Sequence, residues 1–290
     1  MVNIRQYLRL ITWIATFTIL FILYRRLFWF FIREGKWALA VNIIAIILAV
    51  GSMLGASAFY VYHGFGHQPD IFRHGNRLSN QVALTFDDGP SAEYTPDILA
   101  ILKEYNVPAT FFLVGSHVDK YPEIAQQIAE ADHEIGNHTY NHVNIPTLGS
   151  FQLQREVTEA TAIITAITGK YPEYIRPPRG MYDSRFRRLA NLLGQQVVLW
   201  TVSSRDWRYG VTKDQIVHSV LSRVKSGDII LFHDSGALIR NEGGDRSATV
   251  KALPAVIQGL RAKGLEIVPL RDLIAEEEPT EEYPKVDMPE

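Results

Sequence analysis

The chain has 290 residues, a length that fits one domain of about 200 residues with additional segments better than two full domains. Its formal net charge of -2 and its pI near 6.5 provide no basic excess to neutralise phosphates, so nucleic acid is not an expected partner. The absence of cysteine excludes disulfides, thiolate metal sites and cysteine nucleophiles.

The first part of the chain contains two apolar runs. Trp37 to Tyr62 is a stretch of 26 residues without a formal charge, long enough to cross a bilayer core of about 30 Å as a helix. The run from Leu10 to Tyr24 has 15 uncharged residues, which is short for a span unless neighbouring arginines snorkel. Between the runs lie Arg25, Arg26, Arg33 and Lys36. Because basic residues favour the cytoplasmic side, residues 1–62 are predicted to form an anchor of one or two transmembrane helices in the cell membrane, with the rest of the chain on the extracytoplasmic side.

A cleaved signal peptide is the alternative interpretation of this region. Ala56-Ser57-Ala58 lies at the end of the second apolar run and has the small-residue pattern of a cleavage site. The apolar stretch is longer than the core of a usual signal peptide, and a further hydrophobic run precedes it. Both interpretations export the remainder of the chain.

The segment after the apolar region, residues 63–80, is polar and glycine-containing and has no periodicity, so it is predicted to be a linker. From residue 81 to residue 275, short apolar strands alternate with amphipathic helices. The predicted strands are residues 82–86, 109–114, 134–136, 174–175, 197–200, 229–232 and 266–268. The predicted helices lie near residues 96–105, 121–131, 151–168, 184–193, 213–224 and 249–262.

This alternation predicts an α/β fold with a mainly parallel sheet. With seven strands and apolar faces on nearly every helix, a closed or nearly closed (β/α) barrel is favoured over an open, doubly wound sheet. No G-x-G-x-x-G follows the first strand, which counts against a dinucleotide-binding fold. In such barrels the functional residues lie in the loops after the strand C-termini. Residues 276–290, which are rich in glutamate and contain three prolines, are predicted to be a disordered acidic tail.

Two adjacent carboxylates, Asp87 and Asp88, follow the first strand in the motif TFDDGP. Like charges this close repel each other unless a cation or an arginine offsets them, and the Gly-Pro turn keeps both acids at the end of the strand. Ordinary turn chemistry also produces Asp-Gly-Pro. On its own the motif therefore leaves the structural and the functional interpretation open.

Two histidines four residues apart, His138 and His142, follow the third strand. On a helical turn they would face the same way and could bind one ion. Alone this spacing is more often accidental, but with Asp88 it supplies two imidazoles and one carboxylate and leaves a position for water, the pattern of a catalytic metal site. One divalent metal is therefore predicted, with zinc the first choice and cobalt, nickel or manganese compatible with the same ligands.

Further polar motifs follow the later strands. Strand four ends in RPPRG, residues 176–180, a rigid turn that could present a backbone N–H to a developing oxyanion or could be a plain loop. Strand five leads into residues 200–207, and strand six into LFHD, residues 231–234. His233 suits a general acid because imidazole titrates near neutral pH, although a lone histidine after a strand is usually structural.

Together these motifs resemble the polysaccharide deacetylase (NodB-homology) domain of carbohydrate esterase family 4. TFDDGP, HTYNH, RPPRG, SSRDW and LFHD occur in the order of that family, and the resemblance covers residues 82–273. It implies a distorted seven-stranded (β/α) barrel in which Asp88, His138 and His142 hold the metal.

The resemblance also implies roles for the other motif residues. Asp87 would be the general base, Arg176 would pair with Asp87, and His233 would be the general acid. The residues implied to contact the substrate are Arg179, through its backbone N–H, and Trp207 and Leu231, which would surround the acetyl methyl group. The implied activity is metal-dependent hydrolysis of N-acetyl groups on an extracytoplasmic glycan, with peptidoglycan the first choice of substrate and a chitin-like polymer the next.

Two positions depart from the family pattern. Ser203 stands where many members carry an aspartate that orients the catalytic histidine, so either the pKa of His233 is lower than in those relatives or another carboxylate takes that place. Arg179 stands where an aromatic residue is common, which would make that wall of the substrate groove cationic.

Two other classes of function remain open on the sequence. A non-catalytic glycan-binding module could keep the same fold, although the intact set of Asp87, Asp88, His138, His142 and His233 argues against it. A metal-dependent amidase for small molecules would have a deep, closed pocket in place of an open groove. The oligomeric state is not predicted.

Overall fold

The computed structural model describes residues 22, 25–26, 43–52, 70–236 and 244–275. Residues 43–52 are helical. Within these ranges, no helix is both long enough and apolar enough to cross a membrane. Most of the predicted anchor, the first residues of the predicted linker and the acidic tail at residues 276–290 lie outside the described residues.

Nine strands within the described residues form one continuous parallel sheet. They are β1 (Ile71–Phe72), β2 (Gln81–Asp87), β3 (Thr110–Leu113), β4 (Glu134–Asn137), β5 (Tyr174–Ile175), β6 (Gln196–Val198), β7 (Val202–Ser203), β8 (Ile229–His233) and β9 (Glu266–Ile267). Hydrogen-bonded neighbours follow the order β1-β6-β5-β4-β3-β2-β8-β7, and β9 pairs with the first residues of β2. All of these strand pairs are parallel, so the carboxyl ends of the strands meet at one edge.

The helices that connect the strands are amphipathic. They are α1 (Thr95–Tyr105), α2 (Gly115–Lys120), α3 (Pro122–Glu130), α4 (Ser150–Thr168), α5 (Ser184–Leu192), α6 (Lys213–Leu221), α7 (Ser247–Ala262) and α8 (Leu270–Ala275). On α1, for example, Ile98 and Leu102 are four residues apart and both fully buried, whereas Asp97 on the other face is exposed. This spacing places one apolar stripe of each helix against the sheet.

Aromatic packing connects the central strands. The ring of Phe86 on β2 lies 5.0 Å from Phe111 on β3 and 5.6 Å from Phe232 on β8, measured between centroids, and all three side chains are fully buried. Strands of a parallel sheet are covered on both faces, which is why their sequences are continuous apolar runs rather than alternating ones. The packed centre provides a rigid base for the loops that follow β2, β3 and β8.

The predicted α/β class and parallel sheet are confirmed, and each of the seven predicted strands is present. The number of strands was wrong, because β1 lies in the segment predicted to be a linker and β7 lies in the motif that follows the predicted strand at residues 197–200. These two strands are the ends of the sheet, and no pairing between them occurs in the described part of the chain. The sheet is therefore a curled, partly open barrel rather than a closed one.

Residues 70–80, which were predicted to belong to a linker, are part of the folded domain. Ile71 pairs with Val197 of β6 and is only 6% exposed. Asp70 accepts a hydrogen bond of 2.8 Å from Nε of Arg187. The linker prediction failed here because β1 has only two residues, Ile71 and Phe72, and is surrounded by glycines and polar residues. Two residues are too few to show a periodic pattern.

Replacing Ile71 by alanine tests this correction. We expect the free energy of unfolding to fall by about 2 to 4 kcal/mol, because the substitution removes buried methyl groups from a packed edge of the core. Urea unfolding of the full chain, followed by circular dichroism, measures the change. Leu78 lies in the same segment but is 87% exposed, and Leu78→Ala should change stability by no more than about 0.5 kcal/mol. Equal effects of the two substitutions would restore the linker interpretation.

Candidate active site

A pocket of about 260 Å³ lies at the carboxyl ends of the central strands. Asp87, the last residue of β2, is in register with His233, the last residue of β8. The pocket is lined by Asp87, Asp88, His138, His142, Arg179, Trp200, Ser203, Trp207, Leu231 and His233. Eight of the nine predicted site residues are in this set, and the ninth, Arg176, is fully buried beneath it.

Asp88, His138 and His142 form the three-residue cluster that was predicted to hold a metal. Oδ1 of Asp88 lies 3.4 Å from Nε2 of His138 and 3.3 Å from Nε2 of His142, and the three ligand atoms fit within 4.8 Å of one another. Oδ1 of Asp88 is buried without a hydrogen-bond partner. Nδ1 of His138 donates to the carbonyl oxygen of Arg176 at 2.7 Å, which leaves Nε2 free to act as a ligand. Two imidazole nitrogens and one carboxylate oxygen thus converge on one point, and this donor set fits a divalent metal.

The protonation states of these groups also suit metal binding. Burial lowers the pKa of His142 to about 4, so its imidazole is neutral at neutral pH, as ligation requires. Burial alone would raise the pKa of Asp88, but the neighbouring His138, His142 and His233 hold it well below its usual range. Asp88 is therefore a carboxylate at neutral pH.

The loop that carries the two histidines is not the helical turn that their spacing suggested, and that prediction was wrong. Thr139 and His142 have φ angles of 66° and 52°, in the left-handed region. Asn137 holds the loop, because its Oδ1 accepts from the backbone N–H of Thr139 at 2.7 Å. Its Nδ2 in turn donates to the carbonyl oxygen of Val157 on α4 at 3.0 Å. A tertiary contact to α4 therefore brings the histidines together, rather than a local helical period.

The predicted pair between Arg176 and Asp87 is present. Nη1 of Arg176 donates to Oδ1 of Asp87 at 2.6 Å and to Oγ1 of Thr85 at 2.8 Å. Its Nε and Nη2 donate to the carbonyl oxygens of Val198 and Leu199, each at 3.1 Å. The guanidinium is thus held by two strand ends, and it fixes the carboxylate of Asp87 beside the three-residue cluster.

His233 has a carboxylate partner, although Ser203 replaces the aspartate expected there. Nδ1 of His233 donates to Oδ1 of Asp206 at 2.7 Å, and the backbone N–H of His233 donates to Oδ2 at 2.8 Å. Oγ1 of Thr249 donates to the same Oδ2 at 3.0 Å. Burial would lower the pKa of His233, but the charge and hydrogen bond of Asp206 raise it to about 9. Of the two alternatives that Ser203 left open, the structure shows the second, since Asp206 is the carboxylate that pairs with His233.

Three residues of the site had no predicted role. Asp206 belongs to the quoted motif SSRDW and is the only acid between Trp200 and Lys213, which was a usable signal for the partner of His233. Trp200 lines the pocket, and its ring lies 5.6 Å from the guanidinium carbon of Arg176. Thr249, at the start of α7, gave no local signal because it reaches Asp206 only through the fold.

Comparison with known proteins agrees with this geometry. The polysaccharide deacetylase family model matches residues 74–198. A peptidoglycan-N-acetylglucosamine deacetylase of Bacillus cereus is 38% identical over 190 residues, which is 66% of this chain and 66% of that relative's length. A chitooligosaccharide deacetylase of Bradyrhizobium is 36% identical over 201 residues, 67% of this chain and 91% of the relative.

The chain belongs to the polysaccharide deacetylase family.

A solved structure supports the same assignment. The crystal structure of the Bc1960 peptidoglycan N-acetylglucosamine deacetylase is similar with a TM-score of 0.66 and 35% identity, and the match covers 71% of this chain and 93% of that one. The recognition of a carbohydrate esterase family 4 deacetylase from its motifs is confirmed. His233 and Asp206 lie beyond the residues that the family model matches, so their place in the site is established by the structure.

Replacing Asp206 by asparagine tests the coupling to His233. We expect the pKa of His233 to fall from about 9 by about one unit or more, because the charge that stabilises the imidazolium is lost. A proton NMR titration of the histidine ring signals of the full chain measures this shift. Asp245→Asn removes an exposed carboxylate next to α7 and should leave the titration unchanged. An unaltered pKa of His233 in Asp206→Asn would contradict the assignment.

Proposed function

We propose that this protein is a metal-dependent deacetylase that hydrolyses N-acetyl groups on a polysaccharide and releases acetate. The observation that carries the proposal is the arrangement in one pocket of a three-residue metal cluster, a carboxylate paired with arginine, and a histidine paired with a carboxylate. A glycan-binding module has no use for two buried carboxylate pairs beside a metal site. Family membership supports the same class of reaction.

Asp88, His138 and His142 would hold the metal, and zinc is the metal that we propose. When bound, a divalent metal polarises a carbonyl and makes water more acidic. The coordinating loop contributes rigidity, since Asn137 and the carbonyl oxygen of Arg176 fix the backbone and the imidazole of His138. Such outer contacts orient ligands before any metal arrives.

Asp87 is the general base in this proposal. Its Oδ1 is occupied by Arg176 at 2.6 Å, while Oδ2 lies 3.8 Å from Nε2 of His138 and faces the metal cluster. A water molecule between Oδ2 and the acetyl carbon can therefore give its proton to Asp87 as it attacks. Because Arg176 is fully buried, its charge cannot be screened by solvent and stays directed at this carboxylate.

His233 is the general acid. Its raised pKa means that the imidazole carries a proton at neutral pH. The proton on Nδ1 remains on the Asp206 side, and the proton on Nε2 is available to the nitrogen of the departing amine. Without that proton, an amine anion would be a poor leaving group. Asp206 acts through His233 and is a positioning residue.

The walls of the pocket suit an acetyl group on a long chain. Leu231 is buried and offers an apolar surface for the methyl group, and Trp207 lines the pocket while remaining 39% exposed. Arg179 is also exposed and lines the pocket, and its backbone N–H is the proposed donor to the oxyanion. A pocket whose rim is made of exposed side chains favours a polymer over the small amide of a closed amidase site.

Peptidoglycan is the proposed polymer, with a chitin-like N-acetylglucosamine chain second. The named activities of similar proteins include both, so similarity alone does not rank them.

We also propose that residues 1–62 anchor the protein in the cell membrane with residue 63 onward on the extracytoplasmic side. The support for this is the uncharged run from Trp37 to Tyr62 and the basic residues before it.

Acetate release is the direct test of the proposed function. Full-length protein with added zinc should release acetate and free amine from peptidoglycan or N-acetylglucosamine oligomers, and chelation should abolish the release. Asp87→Asn should lower turnover by a factor of about 100 or more, because the base is lost. Asp119→Asn removes an exposed carboxylate on α2 and should retain full turnover. Absence of release from every glycan, despite bound zinc, would favour the binding-module or small-amide alternatives.

Zinc affinity separates the ligand from the base. Calorimetric titration of zinc should show a loss of affinity of about 100-fold or more in Asp88→Asn, because a charged ligand is removed. Asp87→Asn should bind zinc nearly as tightly as the unaltered chain. Circular dichroism of both metal-free variants checks that they are folded. Tight zinc binding by Asp88→Asn would show that the three-residue cluster is not the metal site.

A further inference from the structure

A second depression, of about 480 Å³, is lined in part by a loop that also lines the active-site pocket. The loop after β7 forms one wall, with Arg205, Arg208 and Tyr209, and α6 forms the other, with Asp214 and His218. The loop is shared with the active site, because Ser203 and Trp207 of the same segment line the active-site pocket. Residues of one short segment, 203–209, thus line both cavities.

The depression carries a cationic surface. Within the described residues, neither Arg205 nor Arg208 forms an ion pair with a carboxylate of the protein. Asp214 is the one acid of the lining, so the two arginines and this aspartate sum to a formal charge of +1. Arg179 adds a further positive charge to the lining of the active-site pocket. A neutral chitin-type chain gives these arginines no charge to neutralise.

The shared loop places an aromatic residue in each site, Trp207 in the active-site pocket and Tyr209 in the depression. The guanidinium carbon of Arg208 lies 5.7 Å from the ring centre of Trp207, a cation–π arrangement that orients the arginine. Tyr209, the next residue, is 92% exposed and lines the depression. Flat aromatic faces beside a free guanidinium fork are suited to a sugar ring that bears a carboxylate, since arginine binds carboxylates with two parallel hydrogen bonds.

We propose that this depression is a subsite for an acidic sugar of the substrate strand, whose carboxylate is bound by Arg208 and Arg205 while a neighbouring N-acetyl sugar occupies the active site. The inference rests on the proposed function and narrows its substrate class to carboxylate-bearing glycans. Arg208 is the principal contact because Trp207 holds it in place between the two sites. Arg205, with its backbone N–H bonded to Oγ of Ser203 at 3.2 Å, lies at the junction of the same two sites.

A matched pair of substrates tests the subsite. One is a tetrasaccharide in which N-acetylglucosamine alternates with N-acetylmuramic acid, whose lactyl group carries the carboxylate. The other is the same tetrasaccharide with its carboxylates converted to methyl esters. The ratio of kcat/KM for the acid to kcat/KM for the ester, measured with full-length zinc-loaded protein, reports recognition of the charge and is independent of the catalytic step that both share.

The unaltered protein should prefer the acid by about tenfold, the effect of one charge-assisted contact at a partly exposed site. Arg208→Gln should bring this ratio close to one, Arg208→Lys should retain part of it, and raised salt should diminish it.

Arg188→Gln is the matched control, because Arg188 is an exposed arginine on α5 that lines neither cavity. This variant should keep the full ratio. Equal kcat/KM values for acid and ester in the unaltered protein, or an undiminished ratio in Arg208→Gln, would overturn the inference while acetate release upheld the proposed function.

If neither tetrasaccharide is deacetylated, binding decides the inference, and acetate release from the other glycans decides the proposed function separately. Calorimetry with the same two compounds would then show tighter binding of the acid, lost in Arg208→Gln, if the subsite exists. Equal binding of acid and ester, or no binding of either, would overturn it.

Discussion

The buried guanidinium of Arg176 is the interaction on which the arrangement of the site depends. A buried charge without partners is strongly unfavourable, and removing one member of a buried ion pair costs about 3 to 5 kcal/mol. Arg176 avoids this cost through Asp87, through Thr85 and through the carbonyl oxygens of β6 and the residue after it, while its guanidinium carbon lies 3.9 Å from the ring centre of Phe112. These partners lie on or directly after β2, β3 and β6. The strands can satisfy the arginine only in one register, so the same contacts that stabilise the charge also align the ends of the strands.

The two adjacent carboxylates of the site have different partners. Asp87 is offset by a permanent charge from the protein, whereas Asp88 faces two imidazoles, of which His142 is neutral at physiological pH, and keeps one buried oxygen without a hydrogen bond. In the proposed function a divalent metal would complete the charge balance at Asp88, and Asp87 would stay free to accept a proton. The carbonyl oxygen of Arg176 also fixes His138. One residue therefore orients both the proposed base and a proposed metal ligand.

Much of this arrangement is visible in the sequence, and the parts that are not share a cause. Continuous apolar runs predict the central strands, and acids or histidines that directly follow such runs predict the contents of the pocket, because parallel strands end at one edge. Asp206 was identifiable from the sequence as a candidate partner of His233, being the only acid of its loop, but the contact itself is formed by the fold. The turn at His138 depends on a contact between Asn137 and α4, which lies more than a dozen residues further along the chain. Local pattern predicts an element and its ends, whereas pairing between distant loops is determined by packing.

The backbone at the site explains why its turns are poorly predicted by pattern. Among the described residues, eight that are not glycine have positive φ, and five of them lie in loops of the pocket or of the adjoining depression: Asp88, Thr139, His142, Arg179 and Arg205. This conformation is unfavourable for side chains with a Cβ, by about 1 to 3 kcal/mol in strained cases. Glycine would relieve the strain, but at Asp88 and His142 it would also delete a proposed metal ligand. Asp88 directly follows β2, and its side chain lines the pocket although its backbone is left-handed. Such strain persists only where the surrounding structure fixes the conformation, so the packed core next to these loops is what maintains it.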